Sequence, residues 1–167
     1  MRHITHFGIP ISSGYMPLHI QFCYPLHQIS HRCDNLPMNE QIDFFESKLK
    51  FEIDAFDLFT AVNSGDKIAV IDTRMREAYD AEHIPGAVSL PYREMNETTT
   101  KDLDRDTLYI TYCQGIECNG SAKGALNMSR LGFRVKELIG GIASWKLDGF
   151  ATEGASANAG LKVECAC

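Results

Sequence analysis

TLYITYCQGIECNGSAKGALNMSRLG, residues 107–132, reads as a strand, a loop and a helix in that order. Its first seven residues are rich in β-branched and aromatic side chains, the composition of a strand. The strand ends in Cys113, the loop holds Gly115 and Gly120, and a helix begins near Ser121. In open α/β sheets, ligands bind outside the carboxyl ends of the strands. A thiol there meets the N–H groups of the loop and the N-terminus of the next helix, which favour an anion and raise the thiolate fraction of a cysteine. The same cradle suits an anionic substrate. Glycine fits a loop that must turn its N–H groups inward, because it has no steric penalty at positive φ. A structural cysteine packed as a small hydrophobe is the alternative that the strand end alone leaves open.

Outward from this stretch, strands and helices alternate. NEQIDFFESKLKFEI places Ile42, Phe45 and Leu49 at helical spacing. Asp54 is the expected N-cap of a helix AFDLFTAVNSG that carries Phe56, Phe59 and Val62 inward and ends at Gly65. KIAVID is a short apolar run with a polar end, the pattern of a buried parallel strand. RMREAYDAEH predicts a short helix, IPGAVSLP a turn and strand, RVKELI a strand and IASWKLDG a last helix. Such alternation specifies an α/β domain with a mainly parallel central sheet.

The chain has 167 residues, of which 44% are hydrophobic and 23% charged, the balance of a globular protein. Its net charge of −6 and the lack of a basic stripe exclude a nucleic-acid partner, since duplex binders rely on clustered Lys and Arg. No apolar run approaches the ~20 residues of a membrane helix, so no membrane is expected as a partner. Residues 1–37 contain no acid before Asp34, show neither helical nor strand period, and lack a secretory apolar core. They are expected to be a poorly ordered extension, with the domain over 38–151 and a flexible small-residue tail over 152–167. The six cysteines are not spread as a disulfide framework would spread them. Cys23 and Cys33 lie in the extension, Cys113 and Cys118 in one loop, and Cys165 and Cys167 at the end, so the expectation is a reduced, cytoplasmic protein. The two tail thiols fall short of the four ligands of a closed metal site, and nothing in the sequence implies an organic cofactor.

Asp72 and Arg74 in a D-x-R element, His83-Ile84-Pro85-Gly86-Ala87, Cys113 after YIT-Tyr112, and Gly140-Gly141 followed by Trp145 stand in a recognisable order. Together they resemble the rhodanese-like domain across nearly all of residues 50–151. The resemblance implies a three-layer fold, a central mainly parallel sheet flanked by helices. It also implies a sulfurtransferase whose catalytic Cys113 accepts a sulfane sulfur as a persulfide and passes it to cyanide or a thiol. Gln114, Gly115, Ile116, Glu117, Asn119, Gly120 and Ser121 then form the substrate-binding loop, and Asp72 and Arg74 support it by hydrogen bonds. The partner is a small sulfur-containing substrate or a thiol acceptor. His83 is read as a structural hydrogen-bonder, and Trp145 with the glycine pair as packing and a tight turn.

The loop departs from the family's usual C-x-x-G-x-R-S. It reads CQGIECNGSA, is longer, and contains no Arg. Glu117 adds a carboxylate, and Lys123 is the nearest cation. The loop is similar to the C-x-G-x-x-C-N-G form of a rhodanese-like subgroup. Cys118, five positions after Cys113, is a candidate resolving thiol that attacks a Cys113 persulfide or disulfide. Two other uses of the fold compete. A dual-specificity phosphatase or arsenate reductase needs an Arg closing the loop, and none lies between Cys113 and Arg130. A non-catalytic binding or thiol redox-sensing module is favoured by the Arg-free loop and disfavoured by the retained Cys113.

Because the domain pattern starts at Met38, a chain beginning there is expected to keep the melting temperature of the full protein. A loss of more than a few degrees would show that residues 1–37 cover apolar surface, since ~1 kcal/mol moves the midpoint of a 150-residue domain by ~2–4 °C.

Overall fold

The computed structural model describes residues 37–160. The expected extension therefore lies, but for its last residue, outside the described residues, as do Cys165 and Cys167. In chain order the elements are α1 (Met38–Phe51), β1 (Glu52–Ile53), α2 (Ala55–Ser64), β2 (Ile68–Asp72), α3 (Arg76–Ala81), β3 (Val88–Ser89), β4 (Leu108–Tyr112), α4 (Gly120–Arg130), β5 (Arg134–Leu138) and α5 (Gly141–Leu147). The strands form one sheet in the order β1-β5-β4-β2-β3, every neighbouring pair parallel. Among the described residues no helix is long and apolar enough to cross a membrane.

The central strands β2 and β4 are largely buried on both faces, as strands of parallel sheets covered by crossover helices are. Period-two alternation assigns the strand residues to two cores. Val70, Ile110, Tyr112 and Leu138 pack with Ala55 and Leu58 of α2, Ile142 and Trp145 of α5, and Phe150. Ile71 and Tyr109 pack on the other side with Met128 of α4, Met95 and Phe133. β4 is the central strand, and its carboxyl end carries Cys113.

Helix α2 differs from the sequence expectation in which face it buries, and α1 buries none. In α2 the buried pair is Ala55 and Leu58, while Phe56 and Val62 are exposed. Two stripes in this helix have helical spacing, and the one with the smaller residue is buried. Phe59 is half-exposed but stacks on Phe150 with ring centroids 4.3 Å apart. Asp54 does cap α2, its Oδ1 accepting from Asp57 N–H at 2.8 Å, and Gly65 ends it at φ +80°. In α1, Ile42, Phe45 and Leu49 are all exposed and no residue is buried. The helix stands off from α4 and β5 across a groove of about 310 Å³, lined by Phe44 and Phe51 on one side and Leu126 and Val135 on the other.

The flexible tail expected from residue 152 does not begin there. His83 and Glu153 exchange backbone hydrogen bonds at 2.8 Å, and the N–H groups of Ala155 and Ser156 donate to Asp80 and Ala81. Thr152 is buried, and Trp145 Nε1 donates to the Ala151 carbonyl at 2.8 Å. Small polar residues make these contacts through backbone, which composition does not register. Glu82 secures the arrangement. Its carboxylate accepts from Lys146 Nζ at 2.6 Å and Thr152 Oγ1 at 2.9 Å, tying the end of α3 to α5 and to the C-terminal segment.

Burial alone would raise the Glu82 pKa, but the hydrogen bonds from Lys146 and Thr152 outweigh it and hold the carboxyl below its ordinary 4.5. A folded-state value below the unfolded one stabilises fully above that ordinary value and is lost as pH falls through the folded value. Glu82→Gln is therefore expected to lower the urea midpoint at about pH 7 and to shrink the loss of stability between about pH 7 and about pH 3. A variant losing as much stability on acidification as the parent would contradict this role.

Candidate functional site

The loop after β4 is held by backbone on both sides. The Tyr112 carbonyl accepts from the N–H and the Oγ1 of Thr73, at 3.0 and 2.7 Å. The next two carbonyls, of Cys113 and Gln114, accept from Ile142 and Ala143 N–H in the first turn of α5, at 3.1 and 3.0 Å. This approach is why Gly141 is glycine. It has φ +56°, and a Cβ there would overlap the Cys113 carbonyl. Across the loop, Gly120 opens α4 directly against the sulfurs. A Cβ on it would lie 2.8 Å from Cys113 Sγ and 3.4 Å from Cys118 Sγ.

Cys113 and Cys118 are joined as a disulfide with Cα atoms 6.2 Å apart, inside the range a disulfide spans. The reading of every cysteine as reduced therefore does not hold for this pair. Cys118 is brought round by a turn in which its N–H donates to the Gly115 carbonyl at 3.0 Å. Cys113 is 5% exposed, and Cys118 is half-buried.

Asp72 and Arg74 form the buried support beneath the loop. The Asp72 carboxylate has no exposed surface and accepts from Arg74 Nη2 at 2.7 Å, Arg74 Nε at 3.0 Å and Tyr112 OH at 2.6 Å. Burial would lower the Arg74 pKa, but the hydrogen bonds and charge of Asp72 outweigh it and hold the guanidinium charged. Burial and the adjacent Asp72 charge push the Tyr112 phenol far above its ordinary value, so it stays a donor. Arg74 also donates to the Glu82 carbonyl at 2.6 Å and to Gln114 Oε1 at 2.8 Å, which carries the support into the loop.

A pocket of about 340 Å³ is lined by both cysteines of the disulfide. Met75, Ala78 and Pro91 give it apolar walls, and Arg74, Arg93 and Gln114 bring polar groups. Arg93 donates from Nε to the Tyr92 hydroxyl at 3.0 Å and forms no ion pair among the described residues. The Arg93 guanidinium and Lys123 Nζ each lie 5.5 Å from the centroid of the Tyr92 ring, and of the two Arg93 lines the pocket. The charge that the loop lacks is thus present from other segments.

Of the loop residues singled out from sequence, Cys113, Gln114 and Cys118 line the pocket. Gly115 is buried and Gly120 spaces the sulfurs. Ile116, Glu117 and Asn119 are exposed, and none of them lines the pocket, so the Glu117 carboxylate does not face it. Ser121 is buried, its Oγ donating to Glu137 at 2.6 Å, and so braces α4 on β5 instead of lining the pocket. His83 stacks on the Tyr79 ring at 3.8 Å, a structural place as expected. Sequence reasoning missed Met75, Pro91, Tyr92 and Arg93. The signal available was positional, because these residues follow β2 and β3 on the carboxyl side of the sheet, where ligands bind.

The family model for the rhodanese-like domain matches residues 57–148. Among solved structures, the chain is similar to the BH2092 protein of Bacillus halodurans, at 43% identity and a TM-score of 0.69, covering 74% of this chain and 90% of that one. It is similar to the thiosulfate sulfurtransferase PspE of Escherichia coli, at 34% identity over 73 residues, 43% of this chain and 68% of that protein. An HTH-type transcriptional regulator of Mycobacterium tuberculosis is 34% identical over 88 residues, 52% of this chain. The chain spans only 38% of that regulator's length.

Gly120→Ala inserts a methyl group where two sulfurs already stand. It is expected to lower stability by about 1–3 kcal/mol, as overpacking does, and to slow disulfide closure. Urea titration and free-thiol counts under mild oxidant measure the two effects. Closure at the parental rate would show that the sulfurs do not depend on this glycine.

Proposed function

The chain belongs to the rhodanese-like domain family, and on that premise we propose that it is a sulfurtransferase working through a persulfide on reduced Cys113. The thiolate of Cys113 attacks the outer sulfur of a sulfane donor. The donor's sulfur–sulfur bond breaks, the donor's remaining sulfur leaves as an anion, and Cys113 carries the transferred sulfur. An acceptor thiolate or cyanide then attacks that outer sulfur, and Cys113 leaves as the thiolate.

The observation that carries this reading is the position of Cys113. Its sulfur stands beside the first residue of α4, beyond the end of the central strand, and Cys113 lines a pocket edged by Arg74 and Arg93. The helix N-terminus and the cations favour both a thiolate and an anionic donor. Arg93, free of any carboxylate partner among the described residues, is the group assigned to the donor's charge. Arg74 has most of its donors committed to Asp72, Glu82 and Gln114, so no loop guanidinium is free for the bidentate grip that phosphoryl or arsenate chemistry uses.

Steady-state transfer by the reduced chain, with thiosulfate and glutathione hydropersulfide as donors, tests the proposal. Cys113→Ser is expected to fall to background with both. Arg93→Ala is expected to raise KM for the donor about tenfold with kcat little changed, the loss of one charge-assisted contact made equally in ground and transition states. Full turnover in Cys113→Ser would overturn the reading. The Cys113–Cys118 disulfide favours a second one, a thiol redox-sensing module without turnover. A reduced chain that transfers sulfur from neither donor yet closes and opens this bond reversibly would select it.

A further inference from the structure

The persulfide reading uses the outer sulfur carried by Cys113 and leaves Cys118 without a part. Yet Cys118 is bonded to one particular atom, Sγ of Cys113, which in a persulfide is the inner sulfur. The distinction decides the chemistry. A thiol that reaches the outer sulfur of a persulfide takes that sulfur over, whereas a thiol that bonds to the inner sulfur displaces the outer one.

We propose that the loop carries a second activity, reduction of the Cys113 persulfide to hydrosulfide by Cys118, with the Cys113–Cys118 disulfide as its product. The inference rests on Cys113 being the persulfide carrier. The Cys118 thiolate attacks Sγ of the protonated persulfide, the bond between the two sulfurs of the persulfide breaks, and HS⁻ leaves with the electron pair. Cys118 is oxidised, the sulfane sulfur is reduced to sulfide, and the charge balances, one thiolate in and one hydrosulfide out.

Three features of the site support this course. The absent Cβ of Gly120 leaves free the space beside both sulfurs, and any larger residue would press on Cys113 Sγ first. The turn from the Gly115 carbonyl to Cys118 N–H holds the second thiol over the first, with Cα atoms 6.2 Å apart. The pocket of about 340 Å³ touches Cys113 and Cys118 together, so a displaced hydrosulfide leaves into open space edged by Arg74 and Arg93.

The burial of the two cysteines also assigns the route of recovery. Cys113 is 5% exposed while Cys118 is half-buried. An external dithiol therefore attacks at Cys118, the more exposed of the two residues, and Cys113 departs as a thiolate, ready for the next donor. The second thiol of the reductant then frees Cys118. Over the cycle one sulfane sulfur becomes sulfide, and one external dithiol becomes a disulfide. Transfer to an acceptor and release of hydrosulfide thus compete for the same persulfide.

The test is a single turnover. The full chain is reduced, freed of reductant under anaerobic conditions, and given one equivalent of glutathione hydropersulfide. Hydrosulfide is trapped with monobromobimane, and the protein is alkylated and weighed by mass spectrometry. Wild type is expected to release one hydrosulfide per chain and to lose both loop thiols to an internal disulfide. Cys118→Ser is expected to release none and to retain one extra sulfur atom, and Cys118→Ala gives the same readout if the serine variant does not fold. Wild type that keeps the extra sulfur with Cys118 still alkylatable would overturn the proposal. So would a Cys118→Ser chain releasing as much hydrosulfide as wild type. A Cys118→Ser chain that takes up no sulfur overturns the persulfide reading itself, and the reduction with it.

Discussion

At the end of β2 the Asp72 carboxylate has no exposed surface, and the layout of the site follows from satisfying it. An ionised carboxylate left unpaired in the interior costs several kcal/mol, so its partners are not optional. It takes the Arg74 guanidinium, the Arg74 backbone N–H and the Tyr112 hydroxyl. Tyr112 is the last residue of β4, and its hydroxyl also accepts from Ile84 N–H, so the central strand ends in a fixed place. Arg74 passes the constraint to the end of α3 through the Glu82 carbonyl and to the loop through Gln114. One buried charge thereby ties two strands, a helix end and the loop that starts at Cys113. Asp72 and Arg74 act as positioning residues, since no atom of Asp72 reaches the pocket.

On this support the sulfurs are crowded by glycine. Gly120 brings the start of α4 against Cys113 and Cys118, and Gly141 brings the start of α5 against the Cys113 carbonyl. Two helix N-termini therefore converge on one loop. Cations from outside the loop complete the field, with Arg93 and Lys123 both set against Tyr92. An Arg-free loop in this fold is consequently not an uncharged site.

The sequence made the fold legible where burial is on both faces. KIAVID and TLYITYC are read as strands because no other element buries such short apolar runs between turns, and Gly140-Gly141 with Trp145 marks the last helix. It was misleading where one helix offers two faces. AFDLFTAV has helical spacing at Ala55 and Leu58 and again at Phe56, Phe59 and Val62, and periodicity alone does not rank them. Residues 152–156 look like a free end because Ala, Ser and Gly bury little, yet backbone bonds tie Glu153 to His83 and Ala155 and Ser156 to the end of α3. In the site, Cys113, Gln114 and Cys118 were legible because they adjoin in sequence. Arg93 was not, because it comes twenty residues earlier, on the stretch after β3, and only the sheet order brings it to the pocket. Ser121, placed in the binding loop by the family resemblance, instead donates to Glu137 of β5 and does not line the pocket, a long-range contact that the loop sequence does not carry.

The central claim is that sulfur enters this protein on Cys113. Fragmentation mass spectrometry of the loop peptide, from reduced Cys118→Ser chain exposed to a single equivalent of donor and alkylated at once, locates the incoming sulfur atom directly. The account predicts one added sulfur on Cys113 and none elsewhere among the cysteines. Added sulfur on another cysteine, with Cys113 recovered as an ordinary alkylated thiol, would contradict it.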